Sequence, residues 1–194
     1  MKYIFYAAIV FGLAALSTGL IDPDEAQQNV ELPESVVTYN IEATEDGQLI
    51  VTETVTLDAA VESVWKAYTT SKGYSAWAAV AAVVDLRPGG TIRATYSPDG
   101  DLEGENVNTL HIVNYVPERL LTLQAEVAPN WPNVMKRDAD NLYNVILFKE
   151  LGPEKTRIIS YGLGYTDSPE LRGMMQFFEK ANQKLYQKLI DSLE

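Results

Sequence analysis

The chain has 194 residues, with 15 Lys and Arg against 27 Asp and Glu, a formal net charge of −12, and 46% hydrophobic residues. That apolar content excludes global disorder and fits one domain with short extensions. The negative surface repels phosphate backbones and anionic membranes, which argues against nucleic acid as a partner. With no cysteine and a single histidine, His111, the chain builds no disulfide, no thiolate nucleophile and no multi-histidine metal site.

At the N-terminus Lys2 precedes a continuous apolar run over residues 4–16, and Ser17-Thr18-Gly19 offers small residues for cleavage before Leu20. Ala15-Leu16-Ser17 is a second exit. Residues 1–19 read as a signal peptide. Residues 3–21 are also long enough to stay as an uncleaved anchor. The expectation is a periplasmic or secreted protein in the first case. In the second it is a membrane-anchored one facing outside the cytoplasm, and the membrane is a partner only then. Residues 20–34, acidic and carrying Pro23 and Pro33, read as a spacer. The folded domain is expected over 35–194.

Val37, Tyr39, Ile41 and Ala43 alternate with polar residues. After Asp46-Gly47, Leu49, Val51, Val55 and Leu57 alternate with threonines. Asp-Gly between two alternating runs predicts a hairpin with both central turn residues at positive φ. Over 60–70 the residues Val61, Val64, Trp65 and Tyr68 fall on one helical face, and Gly73 is the expected break before a short segment carrying Tyr74 and Trp77. Strands are predicted over 81–86, 91–96, 110–116, 120–127, 142–151 and 156–165. Residues 128–140 form a long irregular segment. A long final helix begins with Ser168 as N-cap and Pro169 in its first turn. Leu171, Met174, Met175, Phe178, Ala181, Leu185 and Leu189 make its apolar stripe.

This order of strand, two helices carrying Val64-Trp65 and Trp77, a strand closing on Arg87-Pro88-Gly89-Gly90, further strands and one long helix resembles the START-like (SRPBCC) superfamily. Within it the chain is most similar to the branch of activator of heat-shock-ninety ATPase homologues. The resemblance covers 49–194 and implies an α+β helix-grip fold, in which a curved antiparallel sheet wraps a long C-terminal helix. The family usually has one strand where this chain has a hairpin, so the first arm is an addition to the family pattern or a departure from it. The resemblance also implies a ligand space between the concave sheet and the last helix. Trp77 matches the family's tryptophan after the second helix, and Tyr74 lies one helical turn before it. Met174, Met175 and Phe178 would line that space from the helix.

From the residues themselves, Trp131 sits on the long loop, a common place for binding elements. Tyr143 adds apolar contact. His111 shares a strand parity with Val113 and Tyr115, a face that reads as inward, and would be the one polar contact. Arg93 and Tyr96 are further polar candidates. Residues 99–104 match only the first half of a calcium loop, with Leu110 where the twelfth-position acid belongs. No Ser-His-Asp spacing or paired-carboxylate motif stands out, and no catalytic residue, metal or organic cofactor is implied. The expected function is binding of a small apolar or amphipathic molecule by Tyr74, Trp77, His111, Trp131, Tyr143, Met174 and Phe178. The alternatives are a cavity enzyme of cyclase or hydrolase type and a protein-interaction module. The oligomeric state is left open.

Overall fold

The computed structural model describes residues 37–104, 107–127 and 131–194. The signal-peptide or anchor segment, the acidic spacer and the start of the domain lie outside them. Among the described residues no helix is long and apolar enough to cross a membrane.

The two alternating runs form β1 (Val37–Ala43) and β2 (Gln48–Leu57), paired antiparallel with Val37 opposite Val55 and Ala43 opposite Leu49. The turn between them differs from the expected one. Gly47 alone has positive φ (79°), and its N–H donates to the Thr44 carbonyl at 3.1 Å. A type I turn completed by one left-handed glycine joins the strands, so Asp46 is spared the strained conformation.

Helices α1 (Val61–Thr69) and α2 (Ser71–Trp77) follow. The break falls at Thr70, not Gly73. Thr70 is extended (φ −117°, ψ 146°), and its hydroxyl donates to the Lys66 carbonyl at 2.7 Å while accepting from the Gly73 N–H at 3.0 Å. One threonine thus closes α1 and caps α2. Gly73 is required for packing instead. A Cβ there would lie 2.2 Å from the Lys66 carbonyl oxygen and 2.7 Å from Ala67 Cα. Its bare backbone lets α2 fold back onto α1.

The remaining strands are β3 (Ala81–Val84), β4 (Thr91–Thr95), β5 (Val107–Val116), β6 (Leu120–Ala125), β7 (Tyr143–Gly152) and β8 (Lys155–Thr166). All eight strands make one curved, unclosed antiparallel sheet in the order β1-β2-β8-β7-β6-β5-β4-β3. The segment expected to be irregular contains a short helix α3 (Asn133–Arg137) and a 3-10 turn (Ala139–Asn141). Asp138, 5% exposed, pins it: its carboxylate accepts from the Thr166 N–H at 2.9 Å and the Thr166 hydroxyl at 2.8 Å.

The last element, α4 (Pro169–Leu193), starts as its sequence requires, with Ser168 Oγ accepting from the Leu171 N–H at 3.2 Å. It lies in the concave face of the sheet and buries Leu171, Met175, Phe178, Asn182, Leu185, Tyr186 and Leu189. Strand β1 reaches its flank, where the Tyr39 hydroxyl donates to the Met175 carbonyl at 3.1 Å. This is the helix-grip architecture expected from the order of elements.

Candidate functional site

The interior under α4 divides into two apolar clusters. One holds Val55, Leu57, Tyr68, Trp77, Ile146, Phe148, Ile158, Leu185 and Leu189, among others. The second holds Leu49, Val51, Trp131, Met135, Leu142, Tyr165, Leu171, Met175 and Phe178. A polar side chain stands at the crossing point on each of four elements: Glu53 on β2, Ser160 on β8, Asn144 on β7 and Asn182 on α4. None is more than 2% exposed. Register accounts for the alignment. Glu53 and Ser160 are direct cross-strand partners, and Asn144 lies one diagonal step beyond, opposite Gly162.

The belt is connected by hydrogen bonds. Asn182 Nδ2 donates to Glu53 Oε1 at 2.7 Å, and the Tyr186 hydroxyl, one turn further along α4, donates to Glu53 Oε2 at 3.1 Å. Asn144 Nδ2 donates to Ser160 Oγ at 2.7 Å and to the Tyr161 carbonyl at 3.3 Å. Ser160 and Tyr68 on α1 lie close to Tyr186. Among the described residues, Asn144 Oδ1 and Asn182 Oδ1 are the buried side-chain atoms with no hydrogen-bond partner.

Electrostatics follow from this burial. Removal from water pushes the Glu53 carboxyl up to about 7, against the opposing pull of the hydrogen bonds from Asn182 and Tyr186, and the nearby Glu179 adds to the rise. Tyr39, Tyr68, Tyr165 and Tyr186 are all raised above the ordinary tyrosine value, chiefly by burial and then by neighbours that include the Glu53 charge. A buried acid of this kind is expensive unless it is hydrogen-bonded. Here both carboxylate oxygens are engaged.

The residues expected at the site separate into three places. Tyr74 and Trp77 are buried in the first cluster, with Trp77 packed on Tyr68 (ring centroids 4.8 Å) and its indole N–H donating to the Ala67 carbonyl at 3.1 Å. Trp131 and Phe178 are buried in the second cluster, with Met174 half-buried against it. His111 and Tyr143 are half-buried, on the parity opposite the buried residues of their strands. The inward face expected for His111 does not form. A bulge between Ile112 and Asn114 breaks the alternation, so Tyr115 turns in against Trp65 while His111 turns out and meets Glu126 at 3.0 Å. Arg93 reaches the 97–104 segment, where it donates to the Leu102 carbonyl at 2.6 Å. None of the belt residues was among the candidates.

Comparison with known proteins follows the same lines. The family of activator of Hsp90 ATPase homolog 1-like proteins matches residues 58–194. The chain belongs to this family. Its fold is START-like, in general a small-molecule-binding domain. No functionally curated protein matches the sequence. Among solved structures, the Aha1 dimer from Colwellia psychrerythraea is similar at a TM-score of 0.58 and 14% identity, covering 75% of this chain and 96% of that one. A protein from Rhodobacter sphaeroides gives 0.58 and 16%, with 81% and 97% covered. CalU16 from Micromonospora echinospora gives 0.54 and 20%, with 80% and 87% covered. At these identities the likeness is one of fold.

Proposed function

We propose that this domain binds a small amphipathic molecule between the concave sheet and α4. The polar end would lie at the Glu53–Asn182–Asn144 belt and the apolar part against one of the flanking clusters. The observation that carries this reading is the belt itself. A core selected for stability alone has no use for four buried polar side chains at one level, two of them with amide oxygens unpaired among the described residues. Binding sites, in contrast, combine apolar walls with a few polar anchors. Native mass spectrometry of protein purified from its own host is expected to show a bound small molecule. An environment-sensitive apolar dye should bind the purified domain and be displaced by that molecule. A protein that carries nothing and takes up no dye would end the proposal.

The Glu53–Tyr186 pair supports a second reading, acid–base chemistry on the bound molecule, because a carboxyl held near neutrality both accepts and returns a proton. If so, the recovered molecule changes mass or structure on incubation with the wild type and not with Glu53→Gln. Unchanged recovery from both proteins leaves binding as the function.

We further propose export of the domain, on the charged start, apolar run and small-residue exit of residues 1–19. N-terminal sequencing of the mature protein should begin near Thr18 or Leu20. A soluble cytoplasmic product with Met1 intact would contradict export.

A further inference from the structure

We propose that the polar end of the ligand is an amine, held by Asn182 Oδ1 and the Glu53 carboxylate. The inference rests on the binding reading above and adds the chemical class of the ligand.

It follows from the direction of the hydrogen bonds. Asn144 gives its Nδ2 to a backbone carbonyl, which only accepts, so the amide orientation is fixed and Oδ1 is the end left over. Asn182 gives its Nδ2 to a carboxylate, which also accepts, and again Oδ1 is left over. The Tyr186 proton is directed at Glu53 as well. One N–H of Asn182 and the Tyr186 hydroxyl are therefore directed at Glu53, and the two N–H groups of Asn144 at Ser160 and Tyr161. Buried acceptors remain at both ends of the network. A ligand carboxylate or phosphate would place lone pairs against these oxygens and negative charge against Glu53. A hydroxyl brings a single donor. An ammonium brings several donors to Asn182 Oδ1 and the Glu53 carboxylate, together with a charge.

The charge fits as well. The titratable groups that influence Glu53 or feel its charge are Tyr39 on β1, Tyr68 on α1, Tyr165 on β8, and Glu179 and Tyr186 on α4. Each is neutral or acidic. Among the described residues the ion pairs of lysine, arginine and histidine are made elsewhere, with Glu62, Asp85, Glu103, Glu126, Asp138, Asp58 and Asp167. A cationic ligand supplies the counter-charge that the interior lacks, and a chain of net charge −12 favours its approach.

The test compares an n-alkyl amine, alcohol and carboxylate of one chain length as competitors of the apolar dye, at about pH 8, where amine and carboxylate are both charged. High salt is included to screen attraction to the acidic surface. The amine is expected to compete at least about tenfold more tightly than the carboxylate, with the alcohol between them. The gap should narrow in Glu53→Gln. A carboxylate that competes as well as the amine, a preference that high salt abolishes, or a gap unchanged in a folded Glu53→Gln protein overturns the amine assignment and leaves the binding reading standing. Dye that none of the three displaces, or that never binds, overturns both. The wild-type series decides alone if the variant does not fold.

Discussion

Replacing Phe178 with alanine should cost about 3–5 kcal/mol of folding stability, read as a fall in the urea midpoint with an unchanged slope. Phe178 is 2% exposed and packs from α4 into the cluster of Trp131, Met135, Leu171 and Met175. Its removal deletes a large apolar surface and leaves a void that a 25-residue helix, anchored at Ser168 and again through Asn182 and Tyr186, cannot collapse to fill. Against a total stability of about 5–15 kcal/mol for a domain of this kind, the variant should stay folded but be strongly destabilised. A loss below about 1 kcal/mol would mean that the second cluster is not packed to interior density and that α4 is held mainly from the Leu185 end.

Most of the architecture was legible in the chain because its determinants are local. Alternation gave β1 and β2, Ser168-Pro169 gave the start of α4, and helical periodicity gave the buried faces of α1 and α4. The errors came where a single residue changes the local rule. The bulge at Val113 adds one residue to β5 and reverses the parity that would have turned His111 inward. Helix α1 ends where expected, but Thr70, capping in both directions, makes the break expected of Gly73.

The belt was harder to see for a different reason. Glu53 stands on the buried parity of β2, between Val51 and Val55, and Asn182 stands between Phe178 and Leu185 on the buried face of α4. Each was visible as a polar residue in an apolar row, and that was the available signal. What no local pattern supplies is that the two meet, 129 positions apart in the chain, or that Ser160 and Asn144 come to the same level from two further strands. That depends on the register of the sheet and on the depth at which α4 is seated. The aromatic residues favoured from the sequence are prominent because they are large, and the structure uses Tyr74, Trp77 and Trp131 to fill the two clusters on either side of the belt.

The belt also sets the pH dependence of stability, and the sign is opposite to that of an ordinary ion-paired acid. The Glu53 carboxyl is raised in the folded state to about 7 from an ordinary value of 4.5. Between these values the folded chain holds a proton that the unfolded chain has released, so stability falls as pH rises. The contribution is fully present below about pH 4.5, is lost as pH passes through 7, and is flat above. Integrated over the shift it is on the order of 3 kcal/mol. The surface acids Glu62 and Asp167 are lowered by hydrogen bonds from Lys66 and Arg172, so their linkage has the opposite sign and acts below their ordinary values, outside this window. The neighbouring tyrosines are raised and do not titrate there. The clean measurement is the difference between the wild type and Glu53→Gln in urea unfolding from about pH 5 to about pH 8, since every other group cancels. The wild type should lose stability relative to the variant across this range. The variant should itself remain folded, because a Gln amide turned with its oxygen to Asn182 Nδ2 and its nitrogen to the Tyr186 oxygen keeps both contacts. Parallel pH profiles for the two proteins would mean that water reaches Glu53 freely in solution. The polar belt would then be open to solvent rather than sealed between its two apolar clusters.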